Sequence, residues 1–305
     1  MKTKITWLLI LFTVAAMMGL GCSSDKKAGT PVQSEQVDEQ RELKIVTSFY
    51  PMYIMALNIT KGISGVEVIN MTEPVSGCLH DYQLTPRDMK NLQEAEIMIV
   101  NGAGMESFLD EIRDRRKNLK IVDASAGLEL LEQTDGEVNP HLWVSVSGAI
   151  DQVNNITRQL TRLDPSRASS YLSNAATYVK QLEALKQRMH EKMDTIKIRD
   201  IITLHEAFPY FAQEFNLNIK AVIQHEPGSE PSAGALAKLI DETKESGVKV
   251  IFAESQYSSQ SAEVLARETG AEIYYLDPAV SGPMEPDAYL KIMENNLKVL
   301  EEALK

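Results

Sequence analysis

The sequence predicts an α/β protein of two lobes, each with a mostly parallel four-stranded sheet, joined by one long rigid backbone helix. Three observations carry this. Short runs rich in Val and Ile, flanked by polar or glycine residues, alternate with helical stretches, which is the pattern of parallel sheets covered by helices. The runs fall into two groups of four, 43–48, 66–72, 96–101 and 120–123, then 200–204, 219–223, 249–253 and 272–276. Between the groups lies a purely helical block, 147–196.

The chain opens with a leader. Lys2 and Lys4 make a basic start, residues 5–16 are apolar, and Gly19-Leu20-Gly21-Cys22 closes the stretch. It is too short for a comfortable membrane span and reads as a secretory signal over 1–21. Cys22 stands where a lipobox places the lipidated cysteine, and polar residues 22–42 read as a tether. The expected location is therefore extracytoplasmic, held to the membrane only through the lipid. With Cys22 lipidated, Cys78 is the one remaining thiol of the chain's two cysteines, so no intrachain disulfide can form.

The first lobe is expected over 43–163, the linking helix over 164–196 and the second lobe over 197–305. Asp164-Pro165 gives the helix an N-cap followed by proline at its first position. Tyr171, Ala175, Tyr178, Leu182, Leu185 and Met189 then recur at steps of four and three. Such a stripe could make a coiled-coil dimer; between two α/β groups, packing of one helix along both lobes of a monomer is the favoured reading. At 305 residues and 44% hydrophobic content the chain can bury one large core or two medium ones. Removal of the leader takes the formal charge from −12 to −14, which argues against nucleic acid as partner and suits a cation.

Four metal-capable side chains occupy separate, distinctive settings: His80, His141, His205 and Asp277. Taken singly, a loop histidine is more often structural than a ligand, and Asp277 before Pro278 reads equally as an Asp-Pro turn. Joint placement changes the balance. His205 follows the 200–204 run, Asp277 follows 272–276, His80 lies in the loop after 66–72, and His141 lies in the loop after 120–123. Open α/β sheets bind ligands beyond the carboxyl ends of their strands, so two side chains from each lobe can face one interlobe cleft. His190 lies on a charged helix face and reads as solvated; His225 is at most an accessory ligand. Glu206 and Glu254 are candidates to orient a ligand from behind. Thr85-Pro86-Arg87-Asp88 reads as a capped helix start. His205-Glu206 opens like H-E-x-x-H, but Pro209 stands where the second histidine must be. No G-x-S-x-G elbow, phosphate loop or C-x-x-C is present.

The chain closely resembles the metal-binding lipoproteins of bacterial ABC importers, the zinc/manganese solute-binding family of the ZnuA/TroA type. The residues that carry the resemblance include Val46-Thr47-Ser48-Phe49-Tyr50-Pro51, His80-Asp81-Tyr82, Asn101-Gly102-Ala103-Gly104-Met105-Glu106, Pro140-His141-Leu142-Trp143, His205-Glu206-Ala207-Phe208-Pro209-Tyr210-Phe211, Glu230-Pro231-Ser232-Ala233 and Phe252-Ala253-Glu254. It runs from about residue 43 to the C-terminus. It implies metal ligands at His80, His141, His205 and Asp277, no catalytic residue, and a membrane permease as partner. Manganese-binding members carry Glu where this chain has His205. This chain lacks the histidine-rich loop of many zinc members, has Asn139 where Asp is usual before Pro-His, and has Cys78 where Glu is common. Three imidazoles and one carboxylate suit Zn²⁺ better than Mn²⁺, which prefers more oxygen donors. A manganese or iron carrier, a zinc hydrolase using Glu206 or Glu254 as base, and a metal-stabilised surface adhesin are the alternatives.

Overall fold

The central strands show why the sheets form. Ile97–Val100 and Val250–Ala253 are buried at every residue, as continuous apolar runs are when helices cover both faces of a sheet. The computed structural model describes residues 42–72, 79, 82–132, 136–224 and 228–305. The leader, Cys22, the tether up to residue 41, Cys78, His80, Asp81 and His225 lie outside these residues.

In the first lobe the chain runs β1 (Leu43–Thr47), α1 (Tyr50–Thr60), β2 (Val66–Asn70), α2 (Pro86–Glu94), β3 (Ile97–Val100), α3 (Leu109–Arg115) and β4 (Lys120–Asp123). Then come α4 (Val146–Leu163) and α5 (Ala168–Met193). The second lobe runs β5 (Asp200–Thr203), α6 (Pro209–Glu214), β6 (Asn218–Val222), α7 (Ala233–Ser246), β7 (Val250–Ala253), α8 (Gln260–Thr269), β8 (Glu272–Tyr275) and α9 (Ala288–Ala303). All eight expected strands are present, with bounds that differ by about two residues at most.

Both sheets are wholly parallel and share one order, β2-β1-β3-β4 and β6-β5-β7-β8. The order reverses between β1 and β3 in the first lobe and between β5 and β7 in the second. The strand ends at these two reversals are the natural ligand positions of such sheets. The helix start at Thr85 forms as expected. The Thr85 hydroxyl accepts from Asp88 N, and the Asp88 carboxylate accepts from Thr85 N at 2.8 Å.

The linking helix begins later than expected. Pro165 starts a 3₁₀ turn, Pro165–Arg167, and α5 begins at Ala168. The Asp164 carboxylate explains this: it takes the Ser166 hydroxyl at 2.6 Å, the Arg167 guanidinium at 3.1 Å and the Tyr171 hydroxyl at 2.8 Å, drawing the first turn tight. The 26 residues of α5 span about 39 Å. Tyr171, Ala175, Tyr178, Leu182, Leu185 and Met189 are all buried, in a core that also holds Ile45, Val100, Phe252 and Leu276. The apolar stripe therefore faces the chain's own core. α5 packs on α1 and α4 from the first lobe and on α9 from the C-terminal end. A smaller core, including Ile202, Leu204, Leu239, Ile251 and Leu265, lies between the second sheet, α7 and α8. The described residues form one compact unit. Among the described residues no helix is long and apolar enough to cross a membrane.

The helix supplies its own control experiment. Leu182 is 0% exposed and Leu172, on the same helix, is 56% exposed. Leu182→Ala should lower the unfolding free energy by about 2–5 kcal/mol, and Leu172→Ala should stay within about 0.5 kcal/mol of the parent. Urea denaturation followed by circular dichroism compares the two; equal midpoints would contradict this packing.

Candidate metal centre

The segment carrying His141 is built by its neighbours. Asn139 Oδ1 accepts from the His141 backbone N–H at 3.0 Å and lies 3.1 Å from His141 Nδ1. Accepting from both requires a proton on Nδ1, so the imidazole lone pair resides on Nε2. Asn139 also reaches the other lobe, its Nδ2 donating to the Glu206 carbonyl at 2.9 Å. An aspartate could not make that bond, since a carboxylate only accepts, which accounts physically for asparagine at this position. The Tyr210 hydroxyl donates to the Asn139 carbonyl at 2.9 Å and accepts from Leu131 N at 2.8 Å.

After His141 the chain makes a 3₁₀ turn, Leu142–Val144, before α4. Trp143 is fully buried, edge-on to Phe49, and its ring lies 5.3 Å from that of His141. Its indole N–H donates to the Pro278 carbonyl at 2.8 Å, and its own carbonyl accepts the Tyr289 hydroxyl at 2.7 Å. The His141 segment is thus tied to the segments that hold Glu206 and Asp277.

On the second sheet the strand ends present His205 after β5, Glu254 after β7 and Asp277 after β8. His205 and Glu254 are both buried and meet at 2.6 Å, Nδ1 to Oε1. The carboxylate fixes the imidazole tautomer, again with the lone pair on Nε2. The His141 and His205 rings are 5.5 Å apart and edge-on, and Tyr257 packs against His205 at 5.2 Å. The other Glu254 oxygen, Oε2, is buried with no hydrogen-bond partner among the described residues.

Asn296 on α9 holds the Asp277 backbone from both sides, with its Oδ1 2.9 Å from Asp277 N and its Nδ2 2.8 Å from the Asp277 carbonyl. Asp277 Oδ1 accepts from Ala279 N at 2.8 Å, so the Asp-Pro turn exists, and from Gln256 Nε2 at 3.4 Å. Burial pushes the Asp277 carboxyl up; the bonds from Ala279 and Gln256 oppose this, and the Glu254 charge adds to it.

The structure therefore brings His141 and His205 together and gives each an acceptor at Nδ1. Glu254 stands behind His205, while Glu206 contributes its backbone carbonyl to Asn139. His80 lies outside the described residues, and among those residues no group of three His, Cys, Asp or Glu side chains is placed to hold an ion. His190 is part-exposed, with its ring packed on Phe215 at 5.0 Å and 3.8 Å from Glu214. Sequence reasoning missed Asn139 and Tyr210 as braces between lobes. Asn139 stands out in the sequence only as a replacement for Asp, and Tyr210 only as part of the His205–Phe211 motif; neither residue type signals a bond to the other lobe.

The comparisons with known proteins point one way. The sequence profile of the family described as "Zinc-uptake complex component A periplasmic" (ZnuA) matches residues 45–303. The high-affinity zinc uptake system protein ZnuA of Bacillus subtilis is 30% identical, over 96% of this chain and 97% of that protein. The zinc-binding lipoprotein AdcA of Streptococcus pneumoniae is 28% identical, over 96% of this chain but 60% of its own length. Among solved structures, FpvC of Pseudomonas aeruginosa in complex with Mn²⁺ superposes with a TM-score of 0.79 at 30% identity, covering 87% of this chain and 99% of that one. A crystal structure of ZnuA superposes with a TM-score of 0.75 at 30% identity, covering 86% and 99%. A profile match over most of the chain, a relative matched almost end to end and a shared two-sheet fold agree: this chain belongs to the ZnuA family of zinc-uptake complex components.

Proposed function

We propose that the protein is the metal-binding component of an ABC importer, capturing Zn²⁺ with His80, His141, His205 and Asp277 and passing it to a membrane permease. It acts outside the cytoplasm, anchored through lipidated Cys22, and the ion is its cargo. The observation that carries the reading is the pair of buried imidazoles from different lobes, 5.5 Å apart, each with an acceptor at Nδ1. That tautomer directs the metal-binding lone pairs to Nε2, and oriented neutral imidazoles are ligands that zinc takes. A hydrolase needs a carboxylate available to a bound water. Glu254 instead engages His205 Nδ1, which favours carriage over chemistry. Manganese is the second reading, favoured by the likeness to FpvC bound to Mn²⁺.

Three measurements test the assignment. His80→Ala, His141→Ala, His205→Ala and Asp277→Ala should each weaken zinc binding in a chelator competition, while His190→Ala leaves it unchanged. Equal damage from His190→Ala would remove the basis for this ligand set. Glu254→Gln keeps the shape but removes the charge behind His205; zinc affinity should fall by about 10- to 100-fold, and an unaltered affinity would make Glu254 a packing residue only.

Tryptophan emission gives an independent readout. The chain has two tryptophans, and Trp7 lies in the leader. In protein lacking the leader, Trp143 reports alone from 5.3 Å beside His141. Stoichiometric Co²⁺ should quench it strongly through its open d shell, and excess Zn²⁺, with a filled shell, should restore it. Bound Co²⁺ with undiminished emission would place the ion away from His141.

A further inference from the structure

The motif Asn101-Gly102-Ala103-Gly104-Met105-Glu106 carries part of the resemblance, yet none of its residues has a role in the proposed ligand set. It leaves the end of β3, at the strand-order reversal of the first sheet. The matching position of the second sheet, after β7, holds Glu254, which orients His205.

The loop is unusual in three respects. Gly102, Ala103 and Gly104 take φ of +78°, +51° and +82°, three left-handed residues in succession, one of them an alanine. Such conformations persist only where surrounding structure holds them. On one side there is room only for glycine, since a Cβ on Gly102 would collide with the Asp123 carboxylate and the Ser125 hydroxyl. What holds the loop is the buried Glu106 carboxylate, whose Oε1 accepts from Asn101 N at 2.7 Å and whose Oε2 accepts from Gly102 N at 3.0 Å.

Asn101 passes this order on. It is fully buried, and its Nδ2 donates to the Gly102 carbonyl at 3.0 Å and to the Pro140 carbonyl at 2.9 Å. Its Oδ1 accepts from Gln152 Nε2, on α4, at 2.8 Å, which sets which way the amide faces. Pro140 is the residue before His141, and its carbonyl belongs to the peptide unit whose N–H is that of His141. Turning the Asn101 amide, or shifting the loop, moves the backbone from which the His141 imidazole projects.

We propose that Glu106 is a positioning residue for the metal centre, acting through Asn101 on the Pro140–His141 peptide. It is the first lobe's counterpart of Glu254: one carboxylate orients its histidine directly, the other through a backbone. A carboxylate at this depth is costly to keep. Burial pushes Glu106 up to about 7, against the Asn101 and Gly102 amides, which favour the anion. An apolar residue would avoid that cost but could not hold two adjacent N–H groups. The proposal rests on His141 being a zinc ligand, as argued above.

The test is a mutant cycle in zinc affinity, measured by chelator competition at constant pH. Glu106→Gln replaces one acceptor oxygen by a donor, so only one of the two N–H groups keeps its partner. Gln152→Met preserves volume and removes the bond that orients the Asn101 amide. Each should weaken zinc about tenfold, the lower end of the effect of residues behind metal ligands. Combined with His141→Ala, either loss should disappear, because the ligand it positions is gone; combined with His205→Ala, it should persist. A general loss of folding would carry through both backgrounds alike. If Glu106→Gln does not fold, Gln152→Met carries the same cycle. Undiminished affinity in the single variants, or any other pattern across the two backgrounds, overturns the proposal. If His141→Ala alone leaves zinc affinity intact, the ligand reading itself fails, an outcome separate from these.

Discussion

The hydrogen bonds that the residues around His141 send into the second lobe are the constraint on which the rest depends. Buried backbone polar groups must find partners, and this segment finds them across the lobe boundary. Asn139 reaches Glu206, Tyr210 reaches Asn139, Trp143 reaches Pro278 and Tyr289 reaches Trp143. These bonds fix the separation of the two imidazoles and the orientation of the lobes together. Breaking one would leave a buried donor or acceptor unsatisfied, which costs about 1–3 kcal/mol. The site and the interlobe packing are therefore one structural feature.

The long helix provides the frame for this arrangement. Its buried stripe is continuous with cores from both sheets, so α5 is internal structure rather than a flexible connection. Tyr178 on this helix and Tyr289 on α9 are both buried, and burial drives both hydroxyls well up. The same core delivers Tyr289 to the Trp143 carbonyl. Packing at the helix and hydrogen bonding at the site thus reinforce each other through a single side chain.

The two lobes repeat one strand order around different chemistry. At the second reversal, a carboxylate and a histidine meet directly. At the first, a carboxylate clamps a strained glycine loop and reaches its histidine through an asparagine. Each lobe places a buried acid in the segment that follows the strand at its reversal, Glu254 directly after β7 and Glu106 six residues past β3, a parallel that no sequence repeat discloses. Both segments lie beyond the carboxyl ends of strands at a reversal of order, where such sheets place their ligands.

The sequence by itself determined the eight strands, the linking helix and its buried stripe, the capped start at Thr85, and His205 and Asp277 just beyond their strands. These follow from local periodicity and turn chemistry, which a chain expresses within a few residues. Its family resemblance, resting on whole motifs such as His205–Phe211, was legible for the same reason. Only the tertiary structure decided that Asp164 draws Pro165 into a 3₁₀ turn, that His190 packs on Phe215, and that Asn139, Tyr210 and Trp143 join the lobes. It alone set Glu254 against His205 and Glu106 beneath the loop that leads to His141. Apart from the Asp164 turn, these pairings join residues five to about 150 positions apart, often through backbone carbonyls that every residue type carries. No local pattern encodes such a bond, because its partner is chosen by the packing of the sheets and helices that bring it near.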